Sequence, residues 1–371
     1  MMVTFVLGSV HAFSVFIVPL EAQLGLPRSE ISLIYSFALV SITLAVLSGY
    51  RIYSLIPAWL LILLTCSVAA IGMLVAALAQ GWWTLFIGYS LFFGISNGIG
   101  YGFTLQLVGR ELPQIKGFAM GAVTASYAVG SIIFAKIFAL QIASESITAA
   151  FYALSLALFG CAVLASLLMW SSQASYTHED SLPSGSESPV ETRIICLFWL
   201  AYMFSVFAGL MVIGHAAGIA LSKGVSIGLS VWSAMMIGIG SAVGGFLAGW
   251  LVDRWPLPQF LVGLPLLSAL SLGMLVMVES PVLLVGLFCL VGFSYGSIIA
   301  IYPVAISNYF GEQGPMVYGR IFTAWGFAGL VAPWTAGLIY DAFSGYNSAL
   351  IIASVIAVLS AVTVKLSHFE R

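Results

Sequence analysis

The placement of charge constrains this chain more than any other feature. Residues 31–50, 52–109, 194–222, 224–252, 255–278, 280–311, 321–340 and 342–364 contain no Asp, Glu, Lys or Arg. Of the 371 residues, 61% are hydrophobic and 6% charged, against about 25% charged in a soluble domain. A soluble core has no room for so much apolar side chain, so the solvent is lipid. A helix needs about 20 apolar residues to cross a bilayer. The run 52–109 must therefore hold two, broken near "AQGWW" at 79–83, and 280–311 one long helix and a loop.

The pattern predicts an all-α membrane protein with twelve spans. They lie near 1–20, 29–52, 57–79, 82–107, 117–141, 147–170, 194–219, 228–252, 258–278, 281–307, 317–341 and 347–367. No basic region precedes the apolar stretch of "MMVTFVLGSV", so a cleaved signal peptide is not expected. With both ends cytoplasmic, Arg51, Arg110, Lys116, Arg193, Arg254, Arg320, Lys365 and Arg371 fall inside or at the inner border, and Arg28 and Lys223 outside. This positive-inside bias predicts a multi-pass protein of the inner or plasma membrane. Cys66, Cys161, Cys196 and Cys289 lie in apolar runs without ligand spacing, so they read as small buried hydrophobes, and no metal site or cofactor is expected. Nor is there a basic patch for nucleic acid.

The segment "SSQASYTHEDSLPSGSESPVETR", 171–193, is polar and reads as a flexible cytoplasmic linker. It divides the chain into predicted six-helix bundles at 1–170 and 194–371. The bundles share landmarks. "GISNG" at 94–98 matches "GFSYG" at 292–296, Gly49 matches Gly249, and Gly25 matches Gly224, at offsets of 198, 200 and 199 residues. Two related bundles joined by a loop suit a carrier in which one half rocks against the other. The G-x-S-x-G pattern is also that of a hydrolase nucleophile elbow, which needs a preceding strand. Small residues at this spacing in a membrane helix more simply let backbones approach. Both motifs therefore read as packing notches.

The stretch "SNYFGEQGPMVYGRIFTAWGFAGLVAPWTAGLIYD", 307–341, resembles the eleventh helix of the oxalate/formate antiporter branch of the major facilitator superfamily, a neighbour of the monocarboxylate transporters. "HAFSVFIVPL", "GLMVIGHAAGIA" and "GWLVDRW" resemble the same family. The resemblance implies two pseudo-symmetric six-helix bundles and transport of a small organic monocarboxylate, as antiporter or symporter, with a proton or counter-anion as coupling partner. A monomer in the bilayer is the expected working unit. The oxalate exchanger of that branch grips its substrate with an arginine and a lysine. The matching positions here are Gly245 and Trp325, so capture of a dicarboxylate by two cations is not available.

Six residues are candidates for the substrate chamber. Lys136 is the one cation well inside a predicted helix, where charges are costly and line pathways; alternatively it snorkels to the interface, near Glu145. His11 can donate to a carboxylate and change charge near neutral pH; alternatively it bonds between helices. Tyr101 and Tyr127 correspond by resemblance to family cavity tyrosines, and Tyr295 and Trp325 sit at matching places on the tenth and eleventh helices. His215 is a lesser candidate, within a stretch that resembles a packing segment. Gating falls to Asp253, Arg254 and Lys116. Asp253 would accept hydrogen bonds from the start of the fifth helix near Gly117, latching the inner face. Two other classes stay open: an intramembrane serine hydrolase using Ser294 or Ser96 with His215, and a non-transporting sensor on the same fold.

Overall fold

The computed structural model describes residues 1–53, 55–112, 114, 116–172, 192–252 and 255–367. Among them, eleven helices are long and apolar enough to span a membrane, and a bent pair at the start makes up to twelve. That pair corrects the expectation of one continuous helix over 1–20. Helix α1 (Met2–Leu7) runs into a 3-10 stretch (Gly8–Val15), and α2 (Ile17–Leu24) leaves it at 63°. Pro19 explains the break, because its ring lacks an N–H and crowds the carbonyl four residues back, at Val15. Two carbonyls of the first span are bonded from outside the helix. Asn97 Nδ2 donates to Leu7 O at 2.7 Å and the Tyr89 hydroxyl to Val10 O at 3.3 Å.

The remaining spans follow in order. They are α3 (Arg28–Tyr53), α4 (Ala58–Ala77), then α5 (Trp82–Leu85), a π-helical turn (Phe86–Phe93) and α6 (Gly94–Glu111) as one span, α7 (Lys116–Ser144) and α8 (Ile147–Ser172). After the segment outside the described residues come α9 (Thr192–Ser222), α10 (Ile227–Leu251), α11 (Leu257–Met277), α12 (Pro281–Phe310), α13 (Gly314–Phe343) and α14 (Asn347–Ser367). The expected linker 171–193 therefore loses both ends to helices α8 and α9, and its residues 173–191 lie outside the described part. Of the cysteines, Cys66 and Cys161 are buried and Cys289 half-buried, but Cys196 is exposed, because it faces outward near the start of α9.

The glycine notches pack as their spacing predicts. A methyl at Gly94 or Gly98 of α6 would collide with α3 at Ala38 or Ile42, and one at Gly292 or Gly296 of α12 with α10 at Ile237 or Ser241. Close approach of corresponding helices is thus built the same way in both parts of the chain. Gly25 and Gly224, after α2 and α9, both take left-handed φ, 65° and 78°, which a side chain would resist. Ser294 is fully buried, its hydroxyl meets no partner, and it lies within a helix. No strand-to-helix elbow exists there.

The two groups of helices meet along α3 with α13 and α7 with α10. These seams are tightest toward the Arg28 end. A methyl on Gly337, Gly329 or Gly326 of α13 would press within 2.6–2.9 Å of α3, whereas at Gly319 the nearest atom is 3.9 Å away. On the other seam, a methyl on Gly238 of α10 would press within 2.6 Å of Ile132 of α7, and farther along Phe118 of α7 meets Phe246 of α10 with ring centroids 6.4 Å apart. The bundles are closed at the Arg28 end.

Candidate functional site

Halfway along the seam, His11 stands in the 3-10 stretch, half-buried. Three tyrosines from three helices surround its ring. Tyr35 of α3 shares a 2.8 Å hydrogen bond with His11 Nδ1. Tyr127 of α7 and Tyr295 of α12 stand edge-on to it, with centroids at 5.5 and 6.4 Å. Tyr101 of α6 lies edge-on to Tyr127 at 5.1 Å, and Trp325 of α13 donates its indole N–H to the Tyr295 hydroxyl at 2.8 Å. Five of the six candidate chamber residues are thus in one cluster, with contributions from both sets of helices.

Lys136 is not in it, and the chamber role expected for it is corrected. It lies on the stripe Val129, Ile133, Lys136 and Leu140, at helical spacing, and all four are exposed. Such a face of α7 meets lipid, and the ammonium lies about two turns from the end of α7, within snorkelling reach of the interface. No ion pair joins it to Glu145.

Sequence reasoning missed two members of the site. Tyr35, 1% exposed, fixes the His11 ring. Asn97, fully buried, donates to Leu7 O and accepts the Tyr127 hydroxyl at 2.9 Å, so it ties α6 to both the broken helix and α7. A polar amide inside "GISNGIGYG" was the available signal, since a buried amide must find partners.

A second polar cluster seals the Arg28 end. Arg28, 5% exposed, forms a two-pronged ion pair with Glu21 of α2 and lies over the Tyr340 ring, 3.5 Å from its centroid. It also donates to the Tyr346 hydroxyl at 3.0 Å. Asp341 of α13 accepts the backbone N–H groups of Arg28 and Ser29 at 3.0 and 2.9 Å, capping α3 from the other set of helices. His215 of α9 lies beneath, fully buried. Its Nδ1 meets the Tyr346 hydroxyl at 2.9 Å, and its Nε2 meets the Pro333 carbonyl at 2.8 Å and Ser32 at 3.2 Å. A carbonyl only accepts, so Nε2 carries the proton and Nδ1 accepts from Tyr346. With both nitrogens engaged, His215 holds the seal and has no contact with Ser294. Above the seal, a cavity of about 250 Å³ is lined by Ser222, Lys223, Phe343, Gly345, Tyr346, Asn347 and Ser348. Burial holds Lys223 below the usual lysine pKa, and its ammonium donates to Val276 O at 2.6 Å.

The latch expected at Asp253 and Arg254 lies outside the described residues. Lys116 opens α7, and its side chain is outside them too. A carboxylate capping a helix start is nevertheless present in this protein. It is Asp341 on α3, at the closed end.

Two sets of membrane helices with a polar cluster at their seam and a seal at one end form the arrangement of a carrier. Its sequence matches the profile of the Major Facilitator Superfamily over residues 1–315 and again over 194–369, and the chain belongs to that family. It is 25% identical to the uncharacterized MFS-type transporter YhjX of Escherichia coli, covering 87% of this chain and 82% of that one. It is 22% identical to monocarboxylate transporter 12 of Rattus norvegicus, covering 95% and 80%. Among solved structures, a bacterial homolog of the human lysosomal transporter Spinster, inward-facing and occupied, superposes with a TM-score of 0.75 at 14% identity, covering 99% of this chain and 94% of that one. The protein is a multi-pass membrane transporter of the superfamily's fold.

Proposed function

We propose that the protein moves a small organic monocarboxylate across the membrane by alternating access. Residues 1–170 and 194–371 act as the two rocking bundles, and the Arg28 end faces outward. The observation that carries this reading is the cluster of His11, Tyr101, Tyr127, Tyr295 and Trp325 at the seam, beneath a seal made of bonds between the two sets of helices. Aromatic faces suit an organic tail, and hydroxyl and imidazole groups suit a carboxylate. None of the five carries a permanent charge, which fits a substrate with one carboxyl group better than a dianion. The relation to a monocarboxylate transporter supports the same class.

A thermal-shift screen of the purified protein tests it. A ligand that binds only the folded state stabilises it by about 2.7 kcal/mol at a hundred times its dissociation constant. Acetate, lactate and benzoate are expected to raise the melting temperature more than oxalate or succinate. No shift with any carboxylate, together with a shift from organic cations or sugars, overturns the assignment.

A further inference from the structure

Counting donors around His11 identifies which atoms meet the substrate. Tyr35 is buried and His11 is its hydroxyl's one partner. Were Tyr35 the acceptor, its own O–H would be buried without a partner, which costs the desolvation of that group. The hydroxyl therefore donates to Nδ1, and the imidazole proton sits on Nε2. That nitrogen has no hydrogen-bond partner among the described residues and is not fully buried.

The same accounting runs through the other rings. Asn97 Nδ2 donates to Leu7 O, so its Oδ1 accepts and the Tyr127 hydroxyl is the donor to it. Thr124 donates to Met120 O, which leaves its oxygen to accept from Tyr101. An indole N–H only donates, so Trp325 donates to the Tyr295 oxygen, and the Tyr295 O–H proton is left without an acceptor. Within the cluster, two donors remain free: His11 Nε2–H and Tyr295 O–H. One comes from the first bundle and one from the second. Their rings stand edge-on with centroids 6.4 Å apart at 89°, which sets the two side chains next to each other.

We propose that a single carboxyl group of the substrate is held between His11 Nε2–H and Tyr295 O–H, bridging the two bundles, with Tyr35 and Trp325 as positioning residues that fix these two donors. The proposal rests on the carboxylate reading and adds the atoms and the selectivity. Two neutral donors match the two oxygens of one carboxylate, and donation from Trp325 polarises the Tyr295 hydroxyl toward giving up its own hydrogen bond. A second carboxylate on the same molecule would meet no cation and no further free donor among the side chains of this cluster, which is costly. The bridge also ties the two bundles together, so parting them costs the substrate one of its two donors.

The test is uptake of radiolabelled lactate and succinate into proteoliposomes by wild type, Tyr295→Phe, His11→Phe, His11→Gln and Trp325→Phe. Losing a hydrogen bond to a charged group raises KM about tenfold to a hundredfold. Tyr295→Phe and His11→Phe are expected to do so for lactate, while His11→Gln, which keeps an N–H donor, restores part of it. Trp325→Phe keeps the Tyr295 hydroxyl and is expected to raise KM less than Tyr295→Phe does. Wild-type lactate uptake with unchanged KM in both Phe variants, or succinate carried as well as lactate, overturns the bridge but not the transport reading. Absence of carboxylate uptake by the wild type overturns both. A binding titration of lactate to the detergent-purified variants decides the case of any variant that folds but does not turn over, with unweakened binding counting against the bridge.

Discussion

Asp341→Ala attacks the seal where its contribution can be isolated. The carboxylate caps α3 by two backbone bonds, at 3.0 and 2.9 Å, and these bonds join helices from different sets. Opening the Arg28 end must break them, so their loss acts on that equilibrium and little else. Removing an Asp cap costs about 0.5–2 kcal/mol, and the negative charge at a helix start accounts for part of it. A loss of 1–2 kcal/mol corresponds to a shift of about 5- to 30-fold in populations. The ion pair of Arg28 with Glu21 survives, because both residues belong to the first set of helices. Spin labels at Gln23 and Asn347, both exposed at this end, read the separation by electron–electron resonance. The long-distance population is expected to grow by that factor in Asp341→Ala and less in Asp341→Asn, which keeps an accepting oxygen. An unchanged distance distribution in a folded variant would refute the assignment of Asp341 to the seal.

Three further substitutions probe the packing and the site. Lys136→Ala should leave KM for the transported anion unchanged, because Lys136 stands on the lipid-facing stripe of α7; a raised KM in uptake assays would return it to the chamber. Gly292→Val should reduce the yield of folded protein, since a side chain there strikes the Ile237 carbonyl, whereas Gly286→Val meets nothing within 4 Å and should be tolerated. Equal yields by size-exclusion chromatography would contradict the notch. His215→Phe leaves the Tyr346 O–H proton without its acceptor and should destabilise by about 1–3 kcal/mol, read as a lower melting temperature, while His215→Gln, with one acceptor and one donor, recovers most of it.

The spans were legible in the sequence because lipid imposes a rule on every residue of an apolar run, so charge-free stretches mark helices one by one. The glycine notches were legible for a related reason, as Gly94 and Gly292 need no distant information to signal close approach. What depends on contacts between distant residues was not. Arg28 and Asp341 are 313 positions apart, and nothing local says that one caps the helix the other begins. Pro19 did carry the signal for the break in the first span, although an unbroken apolar pattern outweighed it. Lys136 shows the opposite limit: a charge within a helix suggests a pathway, but which face it occupies depends on the packing of α7. Tyr35 carried no mark of its own among the residues of a long apolar helix, and only the position of His11 gives it a role.

Counterflow tests the central claim most directly, because exchange requires one site that opens in turn to each side. Proteoliposomes loaded with unlabelled lactate and diluted into a trace of labelled lactate should accumulate label transiently, faster than lactate-free vesicles and faster than protein-free liposomes. Label entry indifferent to the lactate inside would mean a channel or a leak, and entry no faster than through bare lipid would mean that this chamber does not carry the anion.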